Sequence, residues 1–383
     1  MSERRGEIQW LRAVAAFEVV IVHSDLATKH LGDPAVVQGW YGRVAGIGVE
    51  LFFVVSGFII CLVAPRAQGG VSFMLGRIRR IIPLCVIFTS LAAAIHLSAG
   101  RYLIAPAPIT PDRLLRSYLT LPQWSYPVLG PTWTLEHEMM FYLVVAGALL
   151  LGAPTHRRKL ALGAVVVALG CLGCWLGPDP NVSVWTFHLA SPYMLAFGFG
   201  WLLCCCEEAG GRERAAIGVL CAAAVLLAFA VGQDWSHRLV LRIGVVTLLC
   251  AAALRARAVL SADGALNRMA WRLGDASFSL YLSHWFVLSA VGKLAAAAGV
   301  PHDLALPVRI AGILLAMAVG LLTYRLIEMP IDRLLRRRAP GRRRAALAIP
   351  PRWAAGDLPI PERVAPVIPA RPPGGVLDGR VGP

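Results

Sequence analysis

Arg12 and His23 stand eleven residues apart in "WLRAVAAFEVVIVHSD", a run that is otherwise mostly apolar. At about 100° per residue this spacing returns both to within roughly 20° of one helix face, about 16 Å apart along its axis. A single stripe thus joins a fixed cation to a titratable base. A guanidinium suits phosphate oxygens, and a neutral imidazole with the ordinary pKa of about 6.5 can take a proton from a hydroxyl. A snorkelling arginine and an interfacial histidine would give the same pattern, so the decision falls to other residues.

Four more stretches carry chemistry-bearing side chains. "GVELFFVVSGFII" places Glu50 near one end of an apolar run and Ser56 deeper. A nucleophile elbow would need glycine at Val54 and Phe58, so Ser56 with Gly57 reads as small-residue helix packing. "FMLGRIRRIIP" sets Arg77 and Arg80 on one face at the start of a span, with Pro83 in the first turn. Clustered guanidiniums bind phosphate, although the positive-inside rule alone would also place arginines there. "GPTWTLEHEMMFYL" gathers Trp133, Glu138, Phe141 and Tyr142 at the start of a helix, on the surface that His23 should approach. "LGDASFSLYLSHW" puts His284 nearly half-way across its span, one turn beyond Tyr281, with Asp275 or Ser277 as the N-cap. A histidine held by a neighbouring carbonyl is the structural alternative. Glu18 lies off the Arg12 stripe, and is expected to pair with a base of another helix or to face water.

The elements that position these residues follow from hydropathy. The chain has 383 residues, 57% of them hydrophobic and 15% charged, with a mean hydropathy of +0.64. Ten apolar runs of membrane-crossing length lie near 9–26, 44–64, 81–99, 136–152, 159–177, 187–206, 214–232, 239–256, 277–297 and 306–327. Strands of a membrane barrel would alternate polar with apolar residues, so the expected fold is an all-α integral membrane bundle of about ten transmembrane helices. Arginine and lysine concentrate in every second connection, which predicts cytoplasmic N and C termini in the plasma (inner) membrane. A transmembrane domain over 1–335 and a basic, Pro/Arg/Gly-rich cytoplasmic tail over 336–383, read as disordered, complete the expected layout.

The formal charge of +15 owes much to "RLLRRRAPGRRR". A basic stretch just after a last span anchors to anionic membrane lipid, and no nucleic-acid partner is expected. The nine cysteines show no zinc spacing; Cys171 and Cys174 sit inside an apolar run and read as packing, so no metal is expected. A transporter or flippase for lipid-linked sugars would also carry buried charges, but should show inverted repeats with broken midplane helices, and the sequence has no such symmetry. A non-catalytic subunit of a polysaccharide export complex would leave the polar residues replaceable.

Taken in order, these stretches resemble the acyltransferase-3 family of integral-membrane O-acyltransferases. The likeness runs from about residue 8 to 330 and rests on Arg12 with His23, "GVELFFVVSGF", Phe73 to Pro83, "WTLEHEMMFY", "SFSLYLSH" and "YRLIEMP" with Glu328 and Pro330. The resemblance implies transfer of an acyl group, commonly acetyl from acetyl-CoA as co-substrate, onto a hydroxyl of a glycan or lipid-linked sugar. The "WTLEHEMMFY" form looks closest to members that decorate exopolysaccharides, with O-antigen or a small acceptor such as a macrolide as alternatives. It further implies His23 as general base, with Glu138 orienting it, stabilising its imidazolium or binding the acceptor. Arg12, Arg77 and Arg80 would hold the CoA phosphates, while Trp133, Tyr142, Glu50 and His284 would meet the acceptor.

Overall fold

The computed structural model describes residues 5–32, 46–99, 108–152, 154–177 and 182–337. Arg43, Arg101 and the tail from 338 onward lie outside the described residues. Among those described there is helix and no strand. Each of the ten apolar runs is met by a helix: α1 (Gly6–His23), α2 (Gly48–Val63), α3 (Gly70–Ala99), α5 (Trp133–Leu150) and α6 (His156–Leu176) come first, with the short α4 (Pro111–Leu119) before α5. Then follow α7 (Val184–Leu189), α8 (Tyr193–Glu208), α9 (Gly211–Val231), α10 (Asp234–Arg255), α11 (Ala265–Asp275), α12 (Ser277–Ala297), α13 (Ala305–Thr323) and α14 (Met329–Arg337). Eight stretches are long and apolar enough to cross a membrane by themselves. The spans missing from that set are α1 and α5, each of 18 residues and about 27 Å long. They fall short because of their polar residues, Glu7, Arg12 and Glu18 in α1, and Glu136, His137 and Glu138 in α5.

Helix α2 runs through the centre, burying Leu51, Val54, Phe58 and Ile60 against Phe197 and Leu202 of α8. Their backbones meet at two glycines. A Cβ on Gly200 would lie 1.9 Å from the Val54 carbonyl oxygen, and one on Gly57 would lie 2.1 Å from that of Phe197. Only hydrogen fits at either point, the small-residue contact that lets membrane helices approach closely.

Two sequence expectations need correction. Helix α3 starts at Gly70, so Pro83 lies deep inside its 30 residues and not in a first turn; membrane helices tolerate this because packed neighbours cover the carbonyl that loses its partner. The N-cap of α12 is Ala276, and neither Asp275 nor Ser277 caps it: Asp275 ends α11, and the Ser277 hydroxyl serves Arg12.

Substituting Gly200 by valine should lower stability by about 1–3 kcal/mol through overpacking, seen as a lower melting temperature in detergent. Gly218→Ala, where no atom lies within 4 Å of the added Cβ, should not lower the midpoint, since alanine is the better helix former.

Candidate active site

Helices α1, α2, α3, α5 and α12 enclose a cavity of about 110 Å³, several times the space one water occupies on the same measure. Its wall is mostly apolar, with Val49, Phe52, Ile59, Ile81, Leu135 and Phe278, and is punctuated by Arg12, Arg80, Glu138, Tyr142, Ser56 and Tyr281. A slender, uncharged chain with a polar group at either end would match such a wall.

At one end the Arg12 guanidinium, 6% exposed, donates from Nη2 to Ser277 Oγ at 2.9 Å and from Nη1 to Gln9 Oε1 at 3.4 Å. Arg80 donates from Nη1 to Glu328 Oε1 at 2.8 Å, and Ser279 donates to Glu328 Oε2 at 2.6 Å. Glu328 belongs to a five-residue π-helical turn, Tyr324–Glu328, between α13 and α14. Such widened turns often occur at functional sites. Two cations and one buried carboxylate thus share this end, an arrangement that neutralises part of the charge an apolar interior would otherwise reject.

Deeper in, the Glu138 carboxylate accepts from Ser56 Oγ at 2.7 Å and from the Tyr142 hydroxyl. Arg77 is 2% exposed and lies over the rings of Phe73 and Tyr142, 5.6 and 6.0 Å from their centroids. It is absent from the cavity wall. Arg77 and Arg80 therefore do not act as one exposed cationic pair: one turns onto Tyr142 and the other onto Glu328.

Helix α12 joins the two ends of the Arg12 stripe. Ser277 in its first turn receives Arg12, and His284, two turns further on and fully buried, places Nε2 3.3 Å from His23 Nδ1. Arg12 and His23 thus face the same neighbour, as their spacing predicts, and α1 and α12 run in the same direction. Trp285 packs edge-on against His23 at 5.1 Å between ring centroids. His23 is not among the cavity-lining residues; the contacts leading to it run from Tyr281, on the wall, to His284 at 6.0 Å and on to His23 at 5.1 Å.

An acyltransferase domain family matches residues 5–325, the whole length that builds this cavity up to the π turn. The chain belongs to the acyltransferase-3 family. Exopolysaccharide production protein ExoZ of Rhizobium meliloti (strain 1021) is 31% identical over 328 residues, 81% of this chain and 96% of that protein. Acyltransferase MdmB of Streptomyces mycarofaciens is 25% identical over 363 residues, 87% of this chain and 92% of its own length. Nodulation protein 10 of Rhizobium leguminosarum bv. viciae is 30% identical over 193 residues, 46% of this chain and 51% of that protein. No solved structure matches this sequence. The protein is a multi-pass membrane acyltransferase.

Within the acyltransferase bundle the remaining candidates have the following neighbours. Glu50 is 2% exposed and takes Arg242 of α10 at 3.1 Å, away from the cavity wall. Trp133 packs on Tyr193 and His137, with centroids 5.3 and 5.6 Å away, and belongs to a second polar cluster in which His188 Nε2 and Gln123 Nε2 reach Glu136 at 3.0 and 2.8 Å. Glu138 does not orient His23; its partners are Ser56 and Tyr142. Glu18 accepts from the Gly46 backbone at 3.3 Å and so fixes the approach to α2. Cys171 and Cys174 are buried thiols, and the described residues hold no group of metal-ligating side chains.

Residues that sequence reasoning passed over also shape the site. Ser56, assigned to packing, donates to Glu138. The Tyr281 hydroxyl meets Thr134 Oγ1 at 2.6 Å and donates to the Pro131 carbonyl, a contact between helices that no spacing rule could reveal. Arg309 of α13 pairs with Asp25 at 2.5 Å and donates to Thr28 at 2.9 Å. It clamps the turn that begins immediately after His23. Removing the cation alone, as in Arg309→Met, should cost about 3 kcal/mol by leaving a largely buried carboxylate uncompensated. Asp25→Leu combined with Arg309→Met should regain more than half of the lost midpoint in detergent unfolding.

Proposed function

We propose that this acyltransferase moves an acyl group, commonly acetyl, from cytoplasmic acyl-CoA to a hydroxyl of an exopolysaccharide or related glycan at the plasma membrane. One observation supports it most: a single apolar cavity has two guanidiniums at one end and, at Tyr281, touches the ring contacts that lead to His23. With the termini in the cytosol, Arg12 and Arg80 face the compartment that holds coenzyme A. Their guanidiniums suit its phosphates, while the uncharged pantetheine arm suits the walls between Ile59, Ile81 and Phe278. Arg77 is assigned to holding Tyr142 and Glu138 in place, a positioning task and not a phosphate contact. The name of the R. meliloti relative favours an exopolysaccharide acceptor; with Glu138 and Tyr142 in the cavity wall, hydroxyl-rich substrates have partners there.

In the reaction, His23 takes the proton of the acceptor hydroxyl as its oxygen attacks the thioester carbonyl. The tetrahedral species then collapses with cleavage of the carbon–sulfur bond, and the imidazolium returns its proton to the departing thiolate. Thioesters need no further activation, whereas the hydroxyl does, so the base carries most of the catalytic burden.

His23→Ala should lower acylation by about a hundredfold or more while the protein remains inserted and melts as the parent does. The readout is mass spectrometry of surface polysaccharide, scored for the increment of one acetyl group. Retained acylation would remove His23 as the base. Arg80→Ala should raise the KM for acetyl-CoA by about tenfold with smaller change in kcat; an unchanged KM would return Arg80 to a purely structural pairing with Glu328.

A further inference from the structure

Histidines inside helices commonly turn back onto the carbonyl four residues earlier, and four here do so: His23 on Val19, His137 on Trp133, His188 on Val184 and His284 on Leu280. A carbonyl only accepts, so each of these Nδ1 atoms carries hydrogen. For His23 there is a second contact on the same atom. Its Nδ1 lies 2.9 Å from Val19 O and 3.3 Å from His284 Nε2. Because His284 has its own hydrogen on Nδ1, facing Leu280 O at 3.2 Å, its Nε2 is the atom left with a lone pair. The N–H of His23 is therefore shared between a carbonyl and an imidazole nitrogen, and the Nε2 of His23 is the nitrogen left to act as base.

We propose that His284 is the positioning residue of His23: it accepts from His23 Nδ1–H, fixes the tautomer with Nε2 basic, and steadies the ring when that nitrogen becomes protonated. This rests on His23 being the base of the proposed function. The role is the one a carboxylate fills in a serine hydrolase triad, here given to a neutral ring that is fully buried and held from behind by Leu280 O. Glu138, for which orienting His23 is one of three roles the resemblance implies, is occupied by Ser56 and Tyr142. A neutral acceptor also avoids placing a second buried charge beside the apolar cavity. Covalent bookkeeping is unchanged: the proton travels from acceptor oxygen to His23 Nε2 and on to the thiolate, and His284 neither gains nor loses one.

The experiment compares His284→Phe, which keeps a ring but has no acceptor, with His284→Gln, whose amide oxygen can reach the position of Nε2. Transfer of radiolabel from acetyl-CoA to the producing cell's own polysaccharide is measured in membranes over a range of acetyl-CoA concentrations. The phenylalanine variant should lose about ten- to a hundredfold in maximal rate, the scale of a misplaced reacting group, with the KM for acetyl-CoA within about twofold. Glutamine should restore at least a third of the parent rate. If phenylalanine leaves the rate intact, or if glutamine falls as far as phenylalanine while melting like the parent, the proposal is overturned. Should the phenylalanine variant aggregate, the rate of a folded glutamine variant decides alone by the same threshold. A His23→Ala protein assayed alongside separates the two readings: its inactivity with an active His284→Phe removes only His284, whereas its activity removes the base itself.

Discussion

Charge inside hydrocarbon is expensive unless it is paired or turned to a protein interior, and that cost arranges this bundle. The two spans that fall short of membrane-crossing hydropathy, α1 and α5, both contribute polar residues to the cavity, Arg12 from one and Glu138 with Tyr142 from the other, beside Ser56, Arg80 and Tyr281 of their neighbours. Arg12 finds Ser277 and Gln9, Arg80 finds Glu328, Glu50 finds Arg242, and Arg309 finds Asp25. Near the start of α1, Glu7 takes Arg5 at 2.7 Å with Arg257 3.9 Å away. The pairs Arg12–Ser277, Arg80–Glu328, Glu50–Arg242, Arg309–Asp25 and Arg257–Glu7 tie residues from different parts of the chain, so these polar groups set which helices are neighbours while the apolar surface sets only that they cross.

Much of this was legible from the residue pattern. Hydropathy located ten spans because lipid imposes a minimum apolar length, and every one coincides with a helix. The Arg12–His23 stripe was legible because a single helix's period fixes it. What escaped detection was pairing between helices. Ser56 sits beside Gly57 and looks like a packing residue; Gly57 is one, pressed against Phe197, but the serine side chain turns to Glu138 instead. The resemblance implies acceptor contacts for Trp133 and Glu50, but no spacing rule shows that they pack on Tyr193 and pair with Arg242. Local rules failed where tertiary demand was stronger: the Ser277 hydroxyl satisfies a buried guanidinium, worth more there than a cap on its own helix.

The cavity wall and the neighbour of His23 are held by one element, α12: Ser277, Phe278, Tyr281 and His284 succeed one another along its inner face, which fixes the partner of Arg12, the wall and the partner of His23 relative to one another. Gly292, two turns beyond His284, lies so close to the turn after α1 that a Cβ there would be 2.3 Å from Leu26 O. Arg309 holds the same turn from α13. The end of α1 is thus gripped on two sides just past His23, which limits how far that ring can shift relative to α12.

The same reasoning bears on why His23, among the four histidines bonded back to their own helix, is the one proposed as base. His188 commits Nε2 to Glu136, and His284 commits Nε2 to His23. His137 is enclosed by the rings of Trp133, Phe187, His188 and Tyr193. His23 closes its helix, is only half-buried, and directs its engaged nitrogen inward. A base must have one nitrogen held and the other able to reach substrate. Among these four, the Nε2 contacts of His188 and His284 and the ring enclosure of His137 leave that combination to His23 at the end of α1.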